Sequence, residues 1–336
     1  MEIGIVGAGV AGIGTAYELR DADTEVTLLE KSRGVGGRAA TRRRNGCVYD
    51  HGANYVTPDP ELEEFMRGQG DTGPVEIEGP VWTFDSSGTI EPGEERERPA
   101  LTYEDGITRF AKGVFSQTDA TLETETRVES IGHEGDRWRV NADEREYAFD
   151  ALVMTPPAPQ TAALLVDADW SDSLRGELTA AIEAVPYRTI LTAVLHYPFE
   201  IDRPYYALVN TDKDHEIGWL SREECKPGHV PDDESVLIVQ MAPDWSLERY
   251  GEPEEAIADA SAGLAASLLD DPRLETPDWT DCTRWRHALP DEGIDDGVLT
   301  RVEDRSLHFA GDWVVGEGRV AAAFENGREV GRRLRG

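Results

Sequence analysis

A glycine turn in a tightly defined setting constrains this chain more than any other feature. Residues 3–6 are a short apolar run, Gly7-Ala8-Gly9-Val10-Ala11-Gly12 follows at once, and Ile13, Ala16, Tyr17 and Leu19 then recur at helical spacing. This pattern predicts a strand, a glycine turn and a helix. Residues 25–30 read as the next strand and end in an acid, Glu30, roughly 20 residues beyond the turn, as in a dinucleotide-binding βαβ unit. Each position has a physical role there. Gly7 allows the tight turn, Gly9 lets a pyrophosphate approach the backbone, and Gly12 lets the helix pack close to the sheet. The N–H groups of the helix N-terminus, around Ala11, face the phosphates. Glu30 can accept both hydroxyls of an adenosine ribose and would repel a 2′-phosphate, which favours FAD or NAD over NADP.

Charge excludes several function classes. The 336 residues carry 33 Lys+Arg against 67 Asp+Glu, a formal net charge of −34. Acids dispersed along a chain repel phosphate backbones and anionic membrane surfaces, so neither a nucleic acid nor a membrane is expected as partner. Only four of the basic residues are lysines, Lys31, Lys112, Lys213 and Lys226. Acidic excess with scarce lysine resembles the proteins of halophilic archaea, where molar salt shortens the Debye length to about 3 Å. Cys47, Cys225 and Cys282 are odd in number and widely spaced, which suggests neither disulfides nor a metal site. No secretory leader or apolar run of membrane-spanning length is evident, and a soluble, cytoplasmic protein, monomer or homodimer, is expected.

The segment after Glu30 separates FAD from NAD. Lys31-Ser32-Arg33-Gly34-Val35-Gly36-Gly37-Arg38 brings a second glycine cluster and an arginine, followed by Tyr49-Asp50-His51-Gly52-Ala53-Asn54-Tyr55. Near the other end, residues 305–313 form a strand pattern closing in Ala310-Gly311-Asp312-Trp313, and residues 318–327 open a final helix. Together these motifs resemble the renalase-like branch of the flavin amine oxidase superfamily. The resemblance implies non-covalent FAD bound through Gly7, Gly9, Ala11, Gly12, Glu30, Lys31, Gly37, Arg38, Asn54, Tyr55, Val128, Thr155, Gly311, Asp312 and Val320. Asp312 would meet the ribityl or pyrophosphate portion, and the N–H groups near Val320 the pyrimidine end of the flavin. None of the three cysteines lies in the C-terminal motif, so a thioether to FAD is not expected.

The resemblance also implies an α/β fold in which a Rossmann-like FAD-binding domain (residues 1–60, 112–160 and 296–336) is interleaved with an antiparallel-sheet-plus-helices substrate domain (residues 61–111 and 161–295). Strong β runs at 189–197 and 236–241, and an amphipathic helix over 253–269 begun by Pro253 and two acids, belong to the second.

Flavin carries the redox step in such proteins, so the chain must only hold a substrate against the ring and tune charge. Trp285 and His287, in Thr283-Arg284-Trp285-Arg286-His287, and Tyr55 are the catalytic candidates, with Trp313 and Arg188 as further pocket residues. A core role for the tryptophans and a structural role for the histidine compete with this reading. No metal is expected. Three activities are compatible with the motifs. The first is a renalase-like oxidation of isomeric dihydronicotinamide dinucleotides by hydride transfer to flavin N5, with O2 reduced to hydrogen peroxide. The second is an oxidase of a primary amine or polyamine, which calls for two aromatic rings and often a lysine near the flavin. The third is an FAD-dependent desaturase or a non-catalytic FAD scaffold.

Overall fold

The structure, a computed structural model, describes residues 1–69 and 73–335; residues 70–72 and 336, within the predicted 61–111 and 296–336 segments, lie outside the described residues. The chain divides into two compact units, Met1–Ala39 with Phe110–Tyr187 and Leu289–Gly336, and Ala40–Arg109 with Arg188–Ala288.

The first unit is built on a five-stranded parallel sheet. β1 (Glu2–Val6) pairs in parallel with β2 (Glu25–Leu29) and with the Ala151–Met154 strand, and the Leu307–Phe309 and Thr121–Glu123 strands close the two edges. A parallel sheet must be covered on both faces. On one side Val6, Leu29, Leu152 and Met154 share a core with Trp138, Val140 and Phe149 of a three-stranded antiparallel layer spanning 128–149. Gly4 is small because that layer presses on it: a Cβ there would stand 2.3 Å from the Phe149 ring. On the other side lie α1 (Val10–Leu19) and the last helix, Val320–Arg335. These two helices approach backbone to backbone, since a Cβ on Gly327 would be 2.1 Å from the Ala11 carbonyl. Thr15 Oγ1 donates to the Gly327 carbonyl across the same contact at 2.9 Å.

The second unit carries a seven-stranded sheet in the order Trp279–Pro290, Tyr187–Tyr197, Ser235–Met241, Ile217–Arg222, Ala207–Asn210, Val81–Phe84, Ile90–Glu91. Antiparallel pairing runs through its centre as expected, while Ala207–Asn210 lies parallel to Val81–Phe84. Alternation along the strands sends one set of side chains to each face. Leu191, Ala193, Leu195, Leu237 and Val239 pack under the Glu254–Leu268 helix, whose Ile257, Ala258, Ala262 and Ala265 face them. The opposite set includes Val194, Val236 and Ile238, which are covered by Cys47 and Tyr49 of the Cys47–Asp50 strand.

Candidate active site

In the first unit the predicted cofactor residues converge at the carboxyl ends of the parallel strands, where open α/β sheets bind ligands. Gly7 follows β1, Glu30 follows β2, Thr155 follows Ala151–Met154, and Gly311 and Asp312 follow Leu307–Phe309. Thr155 Oγ1 donates to the Val6 carbonyl at 2.7 Å and stands in the space a Gly7 Cβ would take. Gly7 also has φ +96°, a conformation that L side chains seldom adopt.

The helix end is prepared for an anion. Gly9 caps α1 without a side-chain hydrogen bond, and a Cβ built on it meets nothing within 4 Å. The first N–H groups of α1 and the positive end of its dipole thus face open space. The second glycine cluster lies against this turn: Gly36 N donates to the Ala8 carbonyl at 2.9 Å, and Gly37, at φ +59°, would bring a Cβ to 3.2 Å from Gly9 Cα. Glu30 is buried and ties both loops, its Oε2 accepting from Ala8 N and its Oε1 from Ser32 N, each at 2.8 Å. Each carboxylate oxygen keeps a lone pair for a ribose hydroxyl. An uncapped helix end, open space over Gly9 and a buried acid with acceptor capacity fit an adenine dinucleotide.

Arg38 Nη2 lies 2.8 Å from Asp312 Oδ1, and Asp312 is buried. Burial alone would lower the guanidinium pKa, but Asp312 and Tyr187 outweigh it and hold the cation. Gly311 N donates to Asn326 Oδ1, which fixes the Gly-Asp turn to the last helix. That helix begins at the buried Val320. Val128 opens the first strand of the antiparallel layer, and the nearby Thr126 N donates to the Glu30 carbonyl. Lys31 is exposed, its Nζ 3.4 Å from Gln160 Oε1. Trp313 requires correction as a pocket residue. It is fully buried, its indole N–H donates to the Pro156 carbonyl, and it packs on Phe309 within the core.

In the second unit, residues 51–56 run across the sheet. The Trp285 indole N–H donates to the His51 carbonyl at 2.8 Å, Gln240 Nε2 to the Gly52 carbonyl at 2.8 Å, and Ser221 Oγ to Asn54 Oδ1 at 3.4 Å. Trp285 also stacks on the His51 ring, with centroids 5.5 Å apart, while Tyr55 packs with Tyr206 and Trp219 at 6.3 and 6.1 Å. Tyr55 and Trp285 thus belong to different ring clusters. His287 lies two residues beyond Trp285 on the same strand face, half-buried, and Arg188 is half-buried on the Tyr187–Tyr197 strand. His51 accepts or donates at Nδ1 to Thr283 Oγ1, and burial, with Arg42 nearby, pulls its pKa down to about 4, so the ring is neutral at pH 7.

Beneath this segment is a charge cluster that sequence reasoning missed. Asp50, Glu223, Lys226 and His229 are all buried. Lys226 Nζ meets Asp50 Oδ2 at 3.0 Å and Glu223 Oε1 at 2.8 Å, while His229 Nδ1 meets Glu223 Oε2 at 3.0 Å and its Nε2 meets the Tyr103 carbonyl at 2.9 Å. Both ring nitrogens of His229 thus face oxygen atoms, the Glu223 carboxylate on one side and the Tyr103 carbonyl on the other. Burial opposes the charge on Lys226 and Glu223, yet their partners prevail, raising the lysine pKa and lowering the acid's. The one available signal was scarcity: Lys226 is one of four lysines and directly follows two acids and a cysteine. Trp219, Gln240 and Arg96 were also missed, because only the folded sheet brings them to residues 51–56.

Comparison with known proteins completes the assignment. Residues 79–335 match the family model described as flavin-containing amine oxidoreductase, and residues 5–68 that of an NAD(P)-binding Rossmann-like domain. The chain belongs to the flavin-containing amine oxidoreductase family. It is an FAD-dependent oxidoreductase of that family, and FAD is its cofactor. Protoporphyrinogen oxidase 2 of Arabidopsis thaliana is 37% identical over 65 residues, and a 4,4′-diapophytoene desaturase of Staphylococcus aureus 38% over 66. Each of those matches covers 19% of this chain and only 13% of the relative. Among solved structures, an Exiguobacterium sp. 255-15 protein described as a candidate protoporphyrinogen oxidase superposes with TM-score 0.82 at 15% identity, covering 99% of this chain and 98% of its own. A fatty acid isomerase of P. acnes gives 0.73 at 14% identity, and an engineered putrescine oxidase 0.71 at 12%, with the same coverage. At these identities the likeness is one of fold. Among the described residues, no helix of this family member is long and apolar enough to cross a membrane.

Proposed function

We propose that this chain is a renalase-like oxidase of isomeric dihydronicotinamide dinucleotides. FAD, when bound, supplies the two-electron redox chemistry, with O2 as the final acceptor. The first unit carries the cofactor without a covalent bond, and the second carries the substrate. The Gly7–Gly12 turn holds the pyrophosphate, Glu30 the adenosine ribose, and the Arg38–Asp312 pair keeps a fixed cation at the strand ends. The observation that carries the substrate reading is the charge beside Tyr55. The Arg96 guanidinium carbon lies 5.8 Å from the Tyr55 ring centroid and 5.9 Å from that of Tyr206. A cation over aromatic faces draws in a phosphate-bearing substrate and repels a protonated amine.

The amine oxidase reading has less support. Trp285 is stacked on His51, and Lys226 is engaged by Asp50 and Glu223, while the other three lysines are exposed. On our reading Trp285, held by its ring stack and its indole N–H, presents a rigid apolar surface, His287 lies on the same strand face, and Tyr55 with Trp219 excludes water. The dispersed acids support a salt-rich cytoplasm as the working environment.

The test is anaerobic mixing of the FAD-loaded protein, in molar KCl, with mixed isomers of dihydronicotinamide dinucleotide, with ordinary NADH, with putrescine and with protoporphyrinogen. Rapid loss of the visible flavin absorbance with the isomers alone is expected, and Arg96→Met is expected to raise KM more than it lowers kcat. Bleaching by putrescine or protoporphyrinogen, with none by the isomers, overturns the reading.

A further inference from the structure

The second unit holds a cluster of metal-ligating side chains that the redox chemistry does not use. Cys47 opens the Cys47–Asp50 strand, His196 lies near the end of Tyr187–Tyr197, and Glu234 directly precedes Ser235–Met241, whose Val236 pairs with His196. His196 Nε2 is 2.9 Å from Glu234 Oε2, and Cys47 Sγ is 4.0 Å from the same oxygen. One donor atom from each of the three residues lies within 4.8 Å of the other two. Cys47 and His196 are buried, and Glu234 is half-buried at the rim.

We propose that Cys47, His196 and Glu234 form a site for a divalent cation of the zinc class, with Asp278 as the positioning residue for His196.

The donor set selects the ion. Thiolate, imidazole and carboxylate together suit Zn2+ or Co2+, whereas Mg2+ and Ca2+ call for oxygen ligands throughout. The spacing is close to what such an ion needs. Bonds of about 2.3 Å to sulfur and about 2.0 Å to nitrogen and oxygen place tetrahedral ligand atoms about 3.3 to 3.5 Å apart. The observed 2.9 and 4.0 Å bracket that range, so side-chain shifts of less than about 1 Å bring the ligands onto one ion.

His196 gives the second, independent observation. Its Nδ1 is buried without a hydrogen-bond partner, although Asp278 Oδ2 stands 3.5 Å away. In the tautomer whose Nε2–H donates to Glu234, Nδ1 turns a bare lone pair towards a carboxylate. A metal on Nε2 moves the ring proton to Nδ1, which then donates to Asp278. That is the carboxylate–histidine–metal arrangement by which outer groups orient metal-bound imidazoles. The ring plane is already set, because Trp279 stacks on His196 with centroids 4.9 Å apart and planes within 8°. On binding, the Cys47 thiol gives its proton to solvent and sulfur, nitrogen and oxygen each donate a lone pair; no electron is transferred. Three protein ligands leave the fourth position to water at the Glu234 rim. The ligands stand 187 and 38 residues apart in the chain, which is why cysteine spacing gave no hint of them.

A plain ion pair is the competing account: a doubly protonated His196 between Glu234 and Asp278 needs no sulfur. The experiment therefore follows sulfur. FAD-loaded protein stripped with EDTA is titrated with Co2+ and read as a difference spectrum, then challenged with Zn2+. One Co2+ per chain is expected, with a near-ultraviolet sulfur-to-cobalt charge-transfer band that Zn2+ abolishes. The band should persist in Cys225→Ser and Cys282→Ser and vanish in Cys47→Ser. Asp278→Asn, at an exposed side chain whose loss spares the fold, should keep the band and weaken affinity about 10- to 100-fold. Absence of a sulfur band, its survival in Cys47→Ser, or unchanged affinity in Asp278→Asn overturns the assignment.

Discussion

Lys226 Nζ lies 3.0 Å from Asp50 Oδ2, with both side chains fully buried and their residues 176 positions apart in the chain. Asp50 also accepts from Thr41 Oγ1 at 2.7 Å and from Ile107 N at 2.9 Å, and its own N–H donates to Glu223 at 3.0 Å. The pair therefore fixes the residue from which the 51–56 segment departs across the sheet. Removing one member leaves an uncompensated buried charge, which typically costs about 3 to 5 kcal/mol. Lys226→Met is expected to lower the denaturant midpoint accordingly. Adding Asp50→Asn to it should restore part of the loss, and a double-mutant cycle by equilibrium denaturation checks the coupling. Additive losses would show that the two charges do not depend on each other.

The glycine turn separates binding from folding at two positions. A Cβ on Gly9 meets nothing within 4 Å, whereas one on Gly12 would stand 2.3 Å from the Gly7 carbonyl oxygen. Gly9→Ala should keep its stability within about 0.5 kcal/mol, as benign substitutions do, and lose FAD affinity about tenfold or more, some 1.4 kcal/mol. Gly12→Ala should lose about 1 to 3 kcal/mol of stability from overpacking. Thermal unfolding of both variants, with FAD titration by fluorescence quenching, reads the two effects apart. Loss of stability in Gly9→Ala with normal FAD binding would contradict the assignment.

These two cases also show which parts of the molecule the chain order reveals. The turn, Glu30 and the β1–α1–β2 unit are legible because strand, turn and helix are consecutive and each glycine's role is local. Residues 51–56 were legible as a motif, but their partners Gln240, Ser221, Trp219 and Trp285 arrive from distant strands. The same holds for Lys226, whose meaning depends on a carboxylate far away in the sequence. Trp313 misled for the opposite reason: proximity to Gly311-Asp312 suggested a pocket, while its indole N–H had a backbone partner in the core. Local spacing encodes turns and caps; face and depth within a sheet depend on register across the whole unit.

Two buried histidines and the half-buried Glu224 set the acid response. Burial, aided by nearby arginines, lowers the pKa of His51 and of His308 to about 4, while burial raises that of Glu224 to about 7. Unfolded histidine titrates at about 6.5, so between there and pH 4 the unfolded chain binds more protons at each histidine, and stability falls as pH falls. Each histidine accounts for on the order of 3 kcal/mol over that window. Glu224 acts in the opposite sense, because the folded state keeps its proton from about pH 4.3 up to about 7 and loses that advantage as pH rises. His308→Gln should therefore flatten the acid loss, and Glu224→Gln should steepen it. Melting temperatures measured from pH 7 to pH 4 check both signs, and parallel curves for the three proteins would refute them.

Salt dependence follows from the net charge of −34. Surface ion pairs such as Arg42–Asp281 and Arg301–Glu177 are individually weak and are screened by salt. If they governed stability, added salt would destabilise the protein. The unpaired excess of carboxylates acts the other way, since its repulsion shrinks as the Debye length falls from about 10 Å at 0.1 M to about 3 Å at 1 M. With twice as many acids as bases, the repulsion should win, and the melting temperature should climb with KCl through the molar range. Glu129, Asp136 and Glu144 are exposed, and neutralising them as Gln, Asn and Gln should raise the melting temperature at low salt more than at high salt. A melting temperature that falls with KCl, or a triple variant with the wild-type salt slope, would assign the acids to something other than tolerance of salt.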